Sequence, residues 1–371
     1  MRTAALLFAL QAAAQVADRP APSRDHVAIQ YSTTQQSTGV ESMGPVEGGL
    51  REILAALKVP VESQIVVFSK TSLQSPLITP RNPRSLYFND SVAVGMVPGG
   101  ILEVAAHDPK LGTVFYRGFL APNAPAALLR SDANCLSCHE AYSTLGIPGM
   151  LTKSVPVGPT GKILPWLGNY TSDHSSAFEE RWGGWYVTGS LGSLKHLGNV
   201  VMPDPDGTPE PVALPARQAL TPHSDVVALM VFEHQMHLMN LLTRLAWESR
   251  TGGRVDDVAE EAASYMLFEG EAKLPNPISG SSDYAKVFAA QGPFDPQGRS
   301  LRQFDLKTRL MRYPLSYMIY SPSFEDLPAT AKEQLYAKLW AKMSSSNQYR
   351  ETVEILMATK PRLPAYFHLL K

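Results

Sequence analysis

A chain of 371 residues that is 44% hydrophobic and 18% charged is long enough for one large domain or two, and apolar enough to bury a sizeable core, which excludes a disordered protein. Its 33 Lys and Arg nearly cancel 34 Asp and Glu, for a formal net charge of -1. That balance, with no block of like charge, excludes the concentrated basic surface that tracks a phosphate backbone.

The opening MRTAALLFALQAAAQVADRP combines Arg2, a mostly apolar run from Ala4 to Ala14 and small residues at Ala12 and Ala14, the pattern of a secretory signal over residues 1–14. An ordinary amphipathic first helix is the alternative. The run is far short of the roughly 20 residues that span a bilayer, so the expectation is a periplasmic or secreted protein with no transmembrane segment after cleavage. Residues 15–130 then read as an antiparallel β-rich domain. VESQIVVFSK, SLYFNDSVAVGMV, GGILEVAAHD and GTVFYRGF are β-branched and aromatic runs separated by turn residues. One helix interrupts them, EGGLREILAALKV, with Leu50, Ile53, Leu54 and Leu57 at helical spacing.

From Pro122 to about Pro222 glycines, prolines and aromatics follow one another without a sustained period. A loop-rich stretch of that length needs some other organiser, and a large apolar cofactor would serve. From Ser224, a plausible N-cap, the chain reads as helical: the long SDVVALMVFEHQMHLMNLLTRLAWESR, then segments at 254–270, 283–291, 300–321 (broken at Pro314), 328–343 and 347–360.

The chain's two cysteines stand in CLSCH, residues 135–139. C-x-x-C-H is the attachment pattern of c-type haem: the thiols of Cys135 and Cys138 add to the two vinyl groups, and His139 becomes the proximal iron ligand. A zinc site would need further ligands at matching spacing. A thioredoxin-like pair would want a strand-to-helix context, which the Gly- and Pro-rich surroundings do not suggest. The export signal favours haem, because c-type haem is attached after export. Around CLSCH, the segments PRNPRSLYFNDSVAVGMV, DHSSAFEERWGGWYVTG, KHLGN, FEHQMH and GRSLRQFDLKTRLMRYPLSYMIYS make the chain similar to a group of exported, uncharacterised bacterial cytochrome c domain-containing proteins. The resemblance covers most of the mature chain and implies one haem and an exported location, without a substrate.

The sixth iron ligand decides the chemistry. A Met or His there suits electron transfer, whereas an open position admits peroxide, oxygen or another small ligand. Distal candidates are Met150 in a Gly/Pro turn, His174 beside Asp173, His196 among glycines and Met202 before Pro203. Each has an ordinary alternative, core filling for a Met and a surface hydrogen bond for a His. His234 and His237 lie three apart on one helix with Glu233 beside them, which suits satisfied core histidines, distal acid/base groups or a second metal. Arg181, Trp182, Trp185 and Tyr186 in EERWGGWYVTG are candidates for a haem wall, with ordinary packing of a Trp-rich turn as the alternative. Arg299, Arg302, Arg309 and Arg312 read as a solvated face, with one of them able to anchor a propionate as the alternative.

The sequence therefore points to an α+β protein: an N-terminal, mainly antiparallel β domain, then, over residues 131–371, a loop-rich haem segment completed by a C-terminal helical region. The first functional expectation is electron transfer through one covalent haem c, with a redox partner protein or a small-molecule donor or acceptor and no nucleic acid. The alternative is a haem-dependent, peroxidase-like oxidoreductase with an open distal site.

Overall fold

The computed structural model describes residues 49–120, 128–203, 207–215 and 219–369. The expected signal segment, residues 1–14, lies outside the described residues. The expected α+β class holds, with a seven-stranded antiparallel sheet in the N-terminal half and helices in the C-terminal half.

The sheet is a meander of β1 (Ile65–Val67), β2 (Arg84–Phe88), β3 (Val92–Met96), β4 (Leu102–Asp108), β5 (Gly112–Gly118) and β6 (Leu128–Arg130). Short Asn/Asp- and Gly-bearing turns join β2 to β3 and β4 to β5, so neighbours in sequence pair antiparallel. The run at 85–97 is two strands, because Asn89 Oδ1 accepts from the amides of Ser91 and Val92 and reverses the chain. After the two-residue pair β7 (Lys153–Ser154) and β8 (Tyr170–Thr171), β9 (Trp185–Tyr186) returns to the sheet and pairs with β1.

Side-chain alternation gives the sheet two different faces. On one, Tyr87, Val92, Val94, Leu102, Val114 and Tyr116 pack under the helix α1 (Leu50–Ala56), which contributes Ile53 and Leu54. The other carries two cross-strand rows, Phe88·Ala93·Ala105·Phe115 and Leu86·Gly95·Glu103·Arg117. Ala93 and Ala105 occupy the middle of the first row and Gly95 stands beside them in the second, so this face is hollow there where the first is filled.

Helix α2 (Asp132–His139) carries CLSCH and follows β6 directly. Strand does precede helix here, contrary to expectation. The sheet is nevertheless antiparallel, and the two cysteines fall in the middle and last turn of the helix rather than at its N-terminus, where redox pairs are activated. The long α3 (Val226–Thr251) is buried along nearly its whole length. Its N-cap is Asp225 rather than Ser224: the Asp225 carboxylate accepts from the amides of Val227 and Ala228, while Ser224 Oγ bonds the Tyr186 carbonyl. Gly252 ends it at φ 73°. Around α3 pack α4 (Val255–Met266), α5 (Tyr284–Ala289), α6 (Pro322–Glu325), α7 (Ala329–Met343) and α8 (Arg350–Thr359).

The helix expected over 300–321 does not form. Asp305 Oδ2 accepts from the amides of Thr308 and Arg309 and from the Thr308 hydroxyl, and Phe304 bridges Met311, so local Asp chemistry closes a turn instead. Only a short 3-10 turn, Tyr317–Tyr320, remains. No described helix is long and apolar enough to cross a membrane.

Candidate functional site

A cavity of about 480 Å³ opens between α2 and the hollow face of the sheet, within the ordinary range for a ligand site. Cys135, Cys138 and His139 line it from one side, and Leu86, Ala93, Gly95, Ala105 and Phe115 from the sheet. Trp185 on β9 and Phe232 on α3 complete the apolar wall. A strained turn brings Trp185 there: Trp182 (φ 66°) and Gly184 (φ 79°) adopt left-handed backbone, and Gly183 passes so close to Val155 that a Cβ would come within 2.8 Å of its backbone.

Spacing of three places both thiols on one side of α2. Cys135 is half-buried, Cys138 exposed, and no disulfide joins them. After His139 the chain folds back sharply. Thr144 Oγ1 lies within bonding distance of the carbonyls of Ala141 and Ile147, Gly149 N–H donates to the His139 carbonyl at 2.9 Å, and Thr113 N–H on β5 holds the Pro148 carbonyl at 2.8 Å. This fold-back presents the Gly149 carbonyl to His139 Nδ1 at 2.8 Å, while the imidazole rests 4.8 Å from the Phe115 ring. Burial lowers the His139 pKa, against the opposing pull of the Gly149 carbonyl, so the ring is neutral at pH 7. A neutral imidazole with Nδ1 engaged leaves Nε2 as the nitrogen able to bind a metal.

Three cationic side chains and one carboxylate line the same cavity: Lys70, Arg84, Lys153 and Glu103. Arg84 Nη2 pairs with Glu103 Oε2 at 2.8 Å, with the two side chains 22% and 16% exposed, and Ser72 Oγ lies 3.4 Å from the same carboxylate. Gly95 makes the pair feasible, since a Cβ there would meet Arg84 Nη2 at 2.6 Å. Arg84 Nε is buried and has no hydrogen-bond partner among the described residues. Lys153 Nζ donates to Asn169 Oδ1 at 2.7 Å, and desolvation lowers its pKa.

The sequence candidates divide. Met150, 5% exposed, lines the cavity with the CLSCH residues. Arg181 and Trp182 do not line it, although Trp185 of the same turn does. His196 is turned back on its own loop, accepting the Gly198 N–H at 2.9 Å and meeting the Trp182 ring edge-on at 5.3 Å. Met202 is half-buried, its N–H held by the Val157 carbonyl. The four arginines of 299–312 are engaged elsewhere: Arg299 with Asp295, Arg302 with Asp90, Arg309 with Glu271, and Arg312 over Tyr313.

His174, His234, Glu233 and Arg181 meet in a second, wholly buried cluster. His174 Nδ1 and His234 Nδ1 lie within hydrogen-bond distance at 2.7 Å, His234 Nε2 meets Ser316 Oγ at 2.7 Å, and Tyr265 stacks on both imidazoles. Arg181 donates to Glu233 Oε2 at 3.2 Å and to the carbonyls of His174 and Ser176. Burial pushes His174 down to about 3, His234 well below its usual value, and Glu233 up to about 7 against the pull of Arg181. His237 stands 3.9 Å from Asp173. No group of three or more His, Cys, Asp or Glu among the described residues is disposed to hold a metal ion.

The residues that sequence reasoning passed over, Arg84, Gly95, Glu103 and Phe115, come from the strands. For Gly95 and Glu103 the signal is a small or charged residue where alternation calls for a bulky apolar one, in VAVGM and LEVAAHD. No protein-family model matches the chain, and neither does any curated protein or any solved structure.

Proposed function

We propose that the chain is an exported mono-haem c-type redox protein whose haem occupies the cavity between α2 and the sheet, tethered by Cys135 and Cys138 and ligated by His139. The observation that carries this reading is that both thiols line one cavity beside a neutral imidazole whose Nδ1 is already taken by a backbone carbonyl. Three further features suit a haem. Ala93, Gly95 and Ala105 leave room on the sheet for a flat macrocycle. Phe115, Trp185 and Phe232 give it apolar contacts. The unpartnered Arg84 Nε, with Lys70 and Lys153 nearby on the lining, suits carboxylates such as the propionates.

When bound, haem c supplies one-electron chemistry and, with its sixth position open, a site for a small ligand. The lining favours the open form and hence small-molecule oxidoreduction. Among the described residues, no histidine but His139 lines the cavity. The Met150 N–H belongs to the peptide whose carbonyl meets His139 Nδ1, which ties its backbone to the Nδ1 edge of the imidazole. Arg84 and Glu103 bring a donor and an acceptor into the cavity, able to orient a small polar substrate and exchange a proton with it. Electron carriage is the second reading, and Met150 on the cavity wall is the observation in its favour.

The visible spectrum of the purified protein, oxidised, reduced and with carbon monoxide or cyanide, separates the two. Ready ligand binding to a high-spin iron supports the oxidoreductase; a low-spin spectrum indifferent to both ligands rejects it. Replacing Cys135 and Cys138 by Ser abolishes the haem stain on a denaturing gel, and a stain that survives overturns the covalent attachment.

A further inference from the structure

We propose that Asn240, on α3, is a positioning residue for His139, setting the orientation and basicity of the imidazole through the single peptide unit that joins Gly149 to Met150. The inference rests on the reading of His139 as iron ligand and deepens it by naming what holds that ligand.

A peptide group is rigid and planar, with its C=O and N–H pointing in opposite directions. The Gly149–Met150 peptide is held at both ends: its carbonyl meets His139 Nδ1 at 2.8 Å, and its N–H donates to Asn240 Oδ1 at 3.1 Å. Asn240 Nδ2 then donates to the next carbonyl, that of Met150, at 2.7 Å, across 90 positions of sequence. The two bonds fix which way the Asn amide faces, because only Oδ1 can accept the N–H and only Nδ2 can donate to the carbonyl. Asn240 is 2% exposed, so neither bond has water as a ready substitute. Gly149 is shaped to this contact: a Cβ there would come within 2.3 Å of Asn240 Oδ1.

The bonds form a chain, Asn240 to peptide to imidazole, in which each polarises the next. Donation of the peptide N–H to Asn240 makes the Gly149 carbonyl a stronger acceptor. A stronger acceptor at Nδ1 gives the imidazole more electron density at Nε2, the nitrogen left for iron. Loss of the Asn240 amide frees the peptide to rotate and weakens that carbonyl, so the imidazole donates less to the metal.

The test uses the haem-loaded protein and three variants: Asn240→Ala, Gly149→Ala and the double variant. Asn240→Ala is expected to keep covalent haem, to raise the midpoint potential and to lower the iron–histidine stretching frequency in the resonance Raman spectrum. Gly149→Ala, which displaces the same peptide by crowding Asn240, shifts both readouts without removing the amide. In the double variant the added methyl fills the space vacated by Asn240, so the Gly149→Ala change adds little to the Asn240→Ala shift. Potential and stretching frequency at wild-type values in Asn240→Ala overturn the proposal even if stability falls, since the contact is then structural only. Should Asn240→Ala fail to accumulate, Gly149→Ala decides alone by the same two readouts. A wild-type protein with no haem stain on a denaturing gel rejects the haem reading itself, an outcome distinct from a stained protein with unshifted spectra.

Discussion

His107 ties the protein's stability to pH. It lies on β4, 6% exposed, with its backbone N–H on the Ser91 carbonyl, and neither ring nitrogen has a hydrogen-bond partner. Burial pushes its pKa from 6.5 down to about 4; Asp108 pulls it back and Arg250 pushes it further down. Because the folded pKa lies below the unfolded one, the unfolded chain binds the extra proton between pH 6.5 and 4. Stability is therefore complete above 6.5 and lost as pH falls through that window. The interval from 6.5 to about 4, at about 1.4 kcal/mol per pH unit, amounts to about 3 kcal/mol, a large share of the roughly 5–15 kcal/mol by which domains are stable. His107→Leu removes the titrating group and two unsatisfied buried nitrogens at similar volume, so its stability at pH 7 is expected to equal or exceed that of the parent. Urea unfolding followed by circular dichroism at pH 7, 6, 5 and 4.5 reads the difference. The parent should lose about 2.5 kcal/mol more than the variant across that range. Parallel losses in the two proteins would refute the reasoning.

Three further expectations follow from other parts of the molecule. Arg181→Ala strands Glu233 without its guanidinium and should cost about 3–5 kcal/mol. Glu233→Gln should cost distinctly less in the same thermal unfolding experiment, because burial already holds Glu233 at about 7; an equal cost would show that the ion pair, not the arginine's bonds to backbone carbonyls, dominates. Asp225→Ala removes the N-cap of α3 together with the bonds that Asp225 Oδ2 accepts from Ser282, and should lower stability by about 1–2 kcal/mol in chemical denaturation; a loss within error would refute the cap's role. Met150→Leu preserves the cavity wall and removes the thioether. The spin state of the haem spectrum is expected not to change, and a low-spin to high-spin conversion would establish Met150 as sixth ligand and electron carriage as the better reading.

The strands were legible because each is local: a short β-branched run bounded by turn residues, joined to the next through a tight turn. The helices of the second half were legible where apolar spacing met no competing local chemistry. The segment 300–321 had the spacing and lacked the helix, because Asp305 offers the backbone a shorter-range partner than the next helical turn does. Arg302 likewise reads as one of four cations on a solvated face, yet it is 5% exposed and sits over the rings of Phe288 and Tyr317 with Asp90 as its counter-ion. Asp90 lies 212 positions away in the chain, and no periodicity within either segment announces that meeting.

The candidate site divides along the same line. CLSCH is a local pattern, and the three residues it names line one cavity. The opposite wall depends on register, since Ala93, Gly95 and Ala105 form a hollow only when β3 and β4 pair so that their small residues fall side by side. A slip of one residue would turn Val94 and Val104 toward the cavity and fill it. The sheet therefore shapes the side of the cavity that faces α2: with α2 laid on β5 and β9 returned beside β1, Arg84, Leu86, Ala93, Gly95, Glu103, Ala105, Phe115 and Trp185 line it from strands, while Phe232 on α3 and Lys70 beyond β1 complete the wall. On the proposed reading a chain of this length is understandable for one cofactor, because α2 would supply the tether and one ligand while most of the shape and charge of the remaining space comes from a sheet whose other face is filled by α1.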